Sequence, residues 1–546
     1  MTDELSDYYG DFLDGTYDCV DRIVLNAYNP LCTSPGGFRF WWRQLRNGSD
    51  EDLDDTHLMR LAGRFSRRLR AFARARGIPV IDCGRGERKH EIAEKYLATQ
   101  PVVRGLFLIL VGRAVATVWE IERSHRGIRN IAAKKLYVNH YSFHIMDPEW
   151  GHITIKISGH PPFGAQIILN GHEYVARQAQ KRGIDFAKEG NCFTALSHPA
   201  DLSRVADTLS ERPTVGRLRR VCESWIYTSC LCFALDLEEQ ERSNFRYRFS
   251  IYQVEYSRNL IFRRGGQMDQ VFQGLIDRTR ARLDVKRLKT IFGAKARPHR
   301  DRKRRPHLAV ALETPTYDLT VFKLHFGKLT LKGYTKGERV LRFEAVAHNT
   351  HDLRCGRLLA RLPQIISRLQ RILQGFLNNL HYMDSAFVAD DILEQLSTPS
   401  QVGQTRLGGI DTNRPRMRTA LAAVLALAPS PHGFCVSQFG ERVRALSGQT
   451  ELEYGSRRAA YDLKKIRAKK LVEKIASSRR YRALPQGVRT ITTLLVLREK
   501  VIQPILAGMG KPKLGRKPKN WSRIDEHYQT LRLSMRNLLN DLGIAA

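Results

Sequence analysis

The chain has 546 residues, with 90 lysines and arginines against 55 aspartates and glutamates, a formal net charge of +35. That length exceeds one ordinary domain and predicts two to four folded units with real apolar cores, which excludes a mainly disordered chain. A field of this size repels itself in an isolated globule. DNA or RNA is therefore the first partner expected and an anionic membrane surface the second.

The membrane is set aside by the most apolar stretch, Val102 to Val118, which Arg104 and Arg113 interrupt before it could span a bilayer; it reads as a buried helix. The opening MTDELSDYYGDFLDG is acidic and lacks the basic start and apolar centre of a secretory signal, so a cytoplasmic, nucleoid-associated protein is expected. The nine cysteines are scattered singly apart from Cys230 and Cys232, which lack a second pair at zinc-site spacing and read as reduced core thiols.

Residues 1–130 read as an N-terminal acidic and helical domain, with Asp3, Glu4, Asp7, Asp11, Asp14, Asp18 and Asp21 followed by Asp50 to Asp55. A helix from Thr56 to Arg76 sets Leu58, Leu61, Phe65, Leu69 and Phe72 against Arg64, Arg67, Arg68, Arg70, Arg74 and Arg76. IPVIDC (78–83) is a short buried strand and GERKHEIAEKYL a charged helix. Residues 131–215 form a first α+β unit with strands YSFHIMD, GHITIKISG and AQIILNG, then helix HEYVARQAQKRG and strand IDFAKEGNCFTALS. Residues 216–350 form a second, from FRYRFSIYQVEYSRNLIF to the meander HLAVALE, LTVFKLHFG, KLTLKGYTK and RVLRFEAVAH, with a basic insertion at 297–307. A long helix lies within 351–396 and a turn-rich linker at 397–415.

Residues 416–506 read as helix, helix, basic helix, two short strands, helix, which is the order of a winged helix-turn-helix. In the third helix Ala460, Leu463 and Ile466, with Tyr461 beside them, form the packed stripe, and Arg457, Arg458, Lys464, Lys465, Arg467 and Lys469 the opposite face. Ser456, Arg457 and Arg458 at its start are placed to reach phosphates and base edges. Arg479 and Arg480 fall at the hairpin tip, where a wing reaches the sugar-phosphate backbone; the alternative is a protein-binding module. The arm 507–521 carries Lys511, Lys513, Arg516, Lys517 and Lys519 among prolines and glycines. It resembles an AT-hook except that Lys517 stands where that motif has proline. A last helix lies within 522–546. The fold class expected is α+β multidomain: two antiparallel-sheet units, a long connecting helix and the winged helix.

One constellation in the centre is suited to chemistry. Alternation puts Lys332, Tyr334 and Lys336 on one face of a strand, and Arg342 and Glu344 on one face of the next. The simplest reading is a solvated sheet face. The Lys-x-Tyr-x-Lys and Arg-x-Glu strands also resemble those of rolling-circle replication initiators and related phage nickases. That resemblance implies a metal-dependent nickase or replication or transposition initiator, with Glu255 and Glu344 holding Mg²⁺ or Mn²⁺ and Tyr382 or Tyr334 as nucleophile. The chain departs from that pattern at His152 to Thr154, where the paired-histidine strand has a single histidine. His140, His144, His152, His160 and His172 otherwise read as solvated or core side chains, with no ligand triad among them. VLNAYNPLCTSPGG, HITIKISGHPPFGAQIILNGHEYVARQ, QVEYSRNLIF and VLRFEAVAHN, with the terminal winged helix, are similar to a bacterial family of uncharacterised proteins sometimes labelled MarR-like. That similarity implies a prokaryotic source, with a mobile element as one setting. DNA and RNA remain equally open, because phosphate contacts look alike in both.

Overall fold

The computed structural model describes residues 2–280 apart from 85, 101, 103 and 126, then 289–291, 319–326, 328–384, 392–502 and 522–541. The basic insertion 297–307 and the arm with Lys511, Lys513, Arg516, Lys517 and Lys519 lie outside these residues. In chain order the elements are α1 (Glu4–Tyr8), β1 (Leu13–Tyr28), α2 (Pro35–Leu45), α3 (Asp55–Ala75), β2 (Val80–Asp82), α4 (Lys89–Thr99), β3 (Gly105–Ser124) and β4 (Gly127–Asp147). Next come β5 (Gly151–Ser158), β6 (Ala165–Asn170), α5 (Gly171–Lys181), β7 (Phe186–Glu189), β8 (Cys192–Leu196), α6 (Pro199–Asp207), α7 (Arg212–Ser229), α8 (Leu237–Arg242), β9 (Arg248–Phe262) and α9 (Gly265–Arg280). The rest are β10 (Lys289–Ile291), β11 (Leu319–Phe326), β12 (Leu329–Lys336), β13 (Val340–Ala347), α10 (Leu362–Asp384), α11 (Ile392–Ser397), β14 (Ser400–Val402), β15 (Thr405–Leu407), α12 (Pro415–Leu427), α13 (Val436–Ser447), α14 (Ser456–Ala468), β16 (Val472–Lys474), β17 (Tyr481–Ala483), α15 (Pro485–Val496) and α16 (Arg523–Asp541). The protein is mixed α+β, and it divides into unit 1 (residues 9–272 and 286–374) and unit 2 (2–8, 273–285 and 375–546).

Unit 1 is organised by one 11-stranded sheet in the order β10-β11-β12-β13-β9-β1-β6-β5-β4-β3-β2. The strands β4 to β6 and β9 to β13, expected in two separate α+β units at 131–215 and 216–350, thus share one sheet, while IDFAKEGNCFTALS forms a separate hairpin, β7–β8. The strand that joins the two sets, β1, comes from the segment expected to be acidic and helical. β1 pairs antiparallel with β6 on one side and β9 on the other. A second correction concerns Val102 to Val118, which lies largely in strand β3, paired along its length with β4, and not in a buried helix. A short apolar run does not distinguish helix from strand by periodicity, and Ile109, Val111, Val115, Thr117 and Val118 are β-branched residues that pack well on a pleated surface.

The two faces of the sheet differ in chemistry. One carries Tyr141, Phe143, Ile145, Ile153, Ile155, Ile157 and Ile167, all buried. On this side Phe65 of α3 stacks on Tyr141 at 4.6 Å between ring centroids, so burial of apolar surface holds the layer. The other face is polar over most of its width, because the residues directly paired across strands are Lys332, Glu344, Ser257 and Cys19 in one row and Tyr334, Arg342, Asn259 and Tyr17 in the next. The register between β1 and β9 shifts between Val20 and Arg22, leaving Asp21 as an extra residue.

In unit 2, α12, α13 and α14 pack together and the hairpin β16–β17 follows. Phe434, between α12 and α13, exchanges two backbone hydrogen bonds with Tyr481, each 2.8 Å, which adds a one-residue third strand to the hairpin. The packed stripe of α14 is Ala459, Asp462, Leu463 and Ile466; Ala460 and Tyr461 are exposed, against the sequence reading. The stripe turns by one residue because a Cβ on Gly440 of α13 would lie 3.3 Å from the Ala459 methyl, a close approach that suits alanine. It turns also because Asp462 is satisfied inside.

Candidate functional site

The sequence-predicted residues of unit 1 come together as a buried network. Arg342, 0% exposed, donates from Nε to Asn259 Oδ1 at 2.5 Å and from Nη2 to the Asn191 carbonyl at 2.7 Å, and its Nη1 lies 3.7 Å from both Asp21 and Glu344. Glu344 accepts from the Tyr334 hydroxyl at one oxygen and pairs with the Lys332 ammonium at the other. Asp21 accepts from the Ser257 hydroxyl at 3.1 Å, and His172 Nδ1 lies 2.9 Å from the same carboxylate oxygen. Burial drives the His172 pKa down to about 4, so the ring is neutral at pH 7, with Nε2 accepting from Arg342 Nη2 at 3.3 Å and Nδ1 turned towards Asp21. Burial opposes the charge on Asp21, yet Arg342 and His172 together hold its carboxyl well below the usual range.

Gly171 explains how His172 reaches this place. A Cβ on Gly171 would lie 1.8 Å from the Val20 carbonyl oxygen, so only glycine lets α5 start against the bulge of β1. Asn170 caps the helix by accepting from the His172 backbone N–H at 2.9 Å.

These observations revise the sequence reading of the site. The Lys332, Tyr334, Arg342 and Glu344 face is largely desolvated, not a solvated surface: Glu344 is 2% exposed. Both Glu344 oxygens are held by protein donors, and Glu255, whose carboxyl is raised by burial, accepts from Gln253 Nε2 at 2.6 Å. That donor set does not fit Glu255 and Glu344 as a seat for Mg²⁺ or Mn²⁺. Tyr382 belongs to unit 2, where its hydroxyl donates to Glu4 and burial pushes its pKa up to about 12, both unfavourable for a nucleophile and only partly offset by Arg489, 4.7 Å from its ring. Tyr334 is likewise raised by burial and tied to Glu344. Lys336 stands apart, half-buried and without an ion pair among the described residues; burial and Arg342 lower it to about 8.

Sequence reasoning missed Asp21, His172 and Asn259 as members. Asp21 was hidden in an acidic run, and His172 in a histidine series with no i, i+4 partner. Of that series, His144 Nδ1 lies 2.9 Å from His152 Nε2, and burial lowers the two rings to about 3 and about 4. Among the described residues no group of three or more His, Cys, Asp or Glu could hold a metal ion, and all nine cysteines are free.

In unit 2 the predicted cations divide. Ser456, Arg457, Arg458 and Arg479 are exposed, and Lys464, Lys465 and Arg467 half-exposed. None of these cations pairs with a carboxylate within 4.0 Å among the described residues, although Arg458 donates to the Glu453 carbonyl at 2.5 Å. Arg480 differs from expectation: its guanidinium folds back to donate to the His432 and Gly433 carbonyls at 2.6 and 2.7 Å, which spends it on anchoring the hairpin. Lys469 likewise donates to the Gln395 and Thr398 carbonyls. Asp462, the one acid in α14, is fully buried between Arg416 Nη2 at 3.1 Å and the Tyr454 hydroxyl at 3.0 Å, and so fixes the rotation of the helix. Neither a family model nor a curated protein nor a solved structure matches the chain. No helix among the described residues is long and apolar enough to cross a membrane.

Proposed function

We propose that the protein binds nucleic acid through unit 2, with α12 to α14 and β16–β17 acting as a winged helix, α14 as the groove-facing helix and the hairpin as its wing. The observation that carries this reading is the outer face of α14, where Arg457, Arg458, Lys464, Lys465 and Arg467 have no carboxylate partners among the described residues. Unpaired cations on an exposed helix neutralise phosphates and release counter-ions. The order of elements and the third strand at Phe434 support the winged-helix reading. The arm around Lys511, Lys513, Arg516 and Lys517 adds charge in sequence next to this region.

DNA is the first ligand to try, in a cytoplasmic, nucleoid-associated setting. The nickase reading is not carried forward, because Glu344 and Glu255 are already held by protein donors and burial raises both Tyr334 and Tyr382. Binding of duplex DNA, single-stranded DNA and RNA to the full chain, measured from low to moderate salt, should weaken steeply with salt, and deletion of residues 509–521 should lessen the slope. A flat salt response would overturn the reading.

A further inference from the structure

The polar face of the unit 1 sheet continues beyond the buried network to β6, β5 and β4, and at β3 gives way to Leu108 and Leu110. There the chemistry changes from paired to unpaired charge. Lys156 of β5 sits directly across from Ser142 of β4 and Gln166 of β6. Lys89, the first residue of α4, lies over Gly112 of β3, where a Cβ would come within 2.9 Å of its Nζ. The apolar side of α4 packs on Phe107, Leu108 and Leu110, so the helix start is held against this face.

Lys89 and Lys156 are both half-buried, and burial lowers both amines. The charges that act on Lys156 are Arg22 and Lys89, both of its own sign. Among the described residues Arg22, Lys89 and Lys156 form no ion pair within 4.0 Å. Lys89 and Lys156, two partly buried cations without an ion pair, cost stability, unlike the matched charges around Arg342; Arg22 is exposed and lies across from Glu255 of β9.

Two polar side chains at the same place also lack partners. Ser142 is 1% and His144 2% exposed, yet neither Ser142 Oγ nor His144 Nε2 has a hydrogen-bond partner. His144 Nδ1 faces His152 and Thr154, so Nε2 is its free end; when His152 donates, Nε2–H is a donor. The chain enters the corner as strand β2, a loop with Gly84 and Gly86, and helix α4, whose start has no side-chain cap. The first turn of an uncapped helix presents N–H groups and the positive end of its dipole.

We propose that this corner binds a phosphate group, held by Lys89 and Lys156 with Arg22 at the rim and hydrogen-bonded by Ser142 and His144. An oxyanion with several acceptor oxygens answers both the unpaired cations and the unpaired donors. The site is independent of the nucleic-acid reading of unit 2. Its phosphate comes either free or on a nucleotide or strand end.

The test titrates the full chain at fixed, moderate sodium chloride with inorganic phosphate, a nucleoside monophosphate, and a short oligonucleotide with and without a 5′-phosphate. Melting temperature and calorimetry are the readouts. Phosphate-bearing ligands should raise the melting temperature, and Lys89→Met with Lys156→Met should weaken binding at least about tenfold, the scale of one lost charge-assisted hydrogen bond. Without ligand this variant should melt no lower than wild type, since it removes repulsion. Ser142→Ala, which leaves the charges in place, should weaken binding by a smaller factor, and Arg457→Ala in unit 2 should leave it unchanged. Equal binding of inorganic phosphate and nucleotide identifies free phosphate as sufficient; preference for the phosphorylated oligonucleotide identifies a strand end. No stabilisation of wild type by any phosphate-bearing ligand, or equal affinity in the double variant and wild type, would overturn the proposal.

Discussion

The network around Arg342 in unit 1 and the outer face of α14 in unit 2 handle charge in opposite ways. In unit 1, Asp21, Arg342 and Glu344 are at most 3% exposed and each touches an opposite charge, whereas in unit 2 Arg457 and Lys464 on α14 stand in solvent without one. A buried network depends on every member, because removing one partner strands another charge in a medium that solvates it poorly. An exposed field acts at range, loses little with any one side chain and is weakened by salt. The same residue types are therefore buried and paired in one region and exposed and unpaired in the other, and the difference can be probed from both sides.

Acid should disturb the buried side most. His144 is held down to about 3, and His152 and His172 to about 4, against 6.5 in the unfolded chain. Below pH 6.5 the unfolded chain takes up protons that these buried rings do not. Stability that is fully present above 6.5 is thus lost as pH falls towards 4, at up to about 1.4 kcal/mol per pH unit for each histidine. The urea midpoint followed by tryptophan fluorescence should fall clearly between pH 7 and pH 5. The signal reports mainly unit 1, which holds Trp41, Trp42, Trp119, Trp150 and Trp225, five of the six tryptophans. An unchanged midpoint would mean that these rings take up protons in the fold as readily as in the unfolded chain.

Next in size, Arg342→Met should cost about 3–5 kcal/mol at pH 7, the usual penalty for stripping one partner from a buried ion pair. Lys464→Met on α14 should shift stability by no more than about 0.5 kcal/mol. Comparable losses in the two variants would erase the contrast between the units.

Much of this was legible in the sequence. Period-two alternation located β5, β6, β9, β12 and β13, and put Lys332, Tyr334, Arg342 and Glu344 on shared faces. The apolar spacing of Leu58, Leu61, Phe65 and Leu69 located α3. What stayed hidden depends on long-range pairing. β1 is buried on both sides at mid-sheet, so its acids look like a solvated opening until β9 and α5 supply Ser257 and His172 as partners. The run from Val102 needed β4 as a neighbour before it could be told from a helix. Asp462 gives no local signal that it turns inwards, since its partners Arg416 and Tyr454 lie on other segments. Arg480 likewise looks free at a hairpin tip until the chain at His432 returns beneath it.

The account rests most heavily on α14 as the nucleic-acid contact. The direct measurement is fluorescence anisotropy of a duplex across a range of salt, comparing the wild-type chain with an Arg457→Ala, Lys464→Ala, Arg467→Ala variant. Each lost phosphate contact should reduce the slope of log affinity against log salt by about 0.9, so a decrease of about two to three is expected, with the urea midpoint unmoved. A slope and affinity identical to wild type would contradict the assignment of α14.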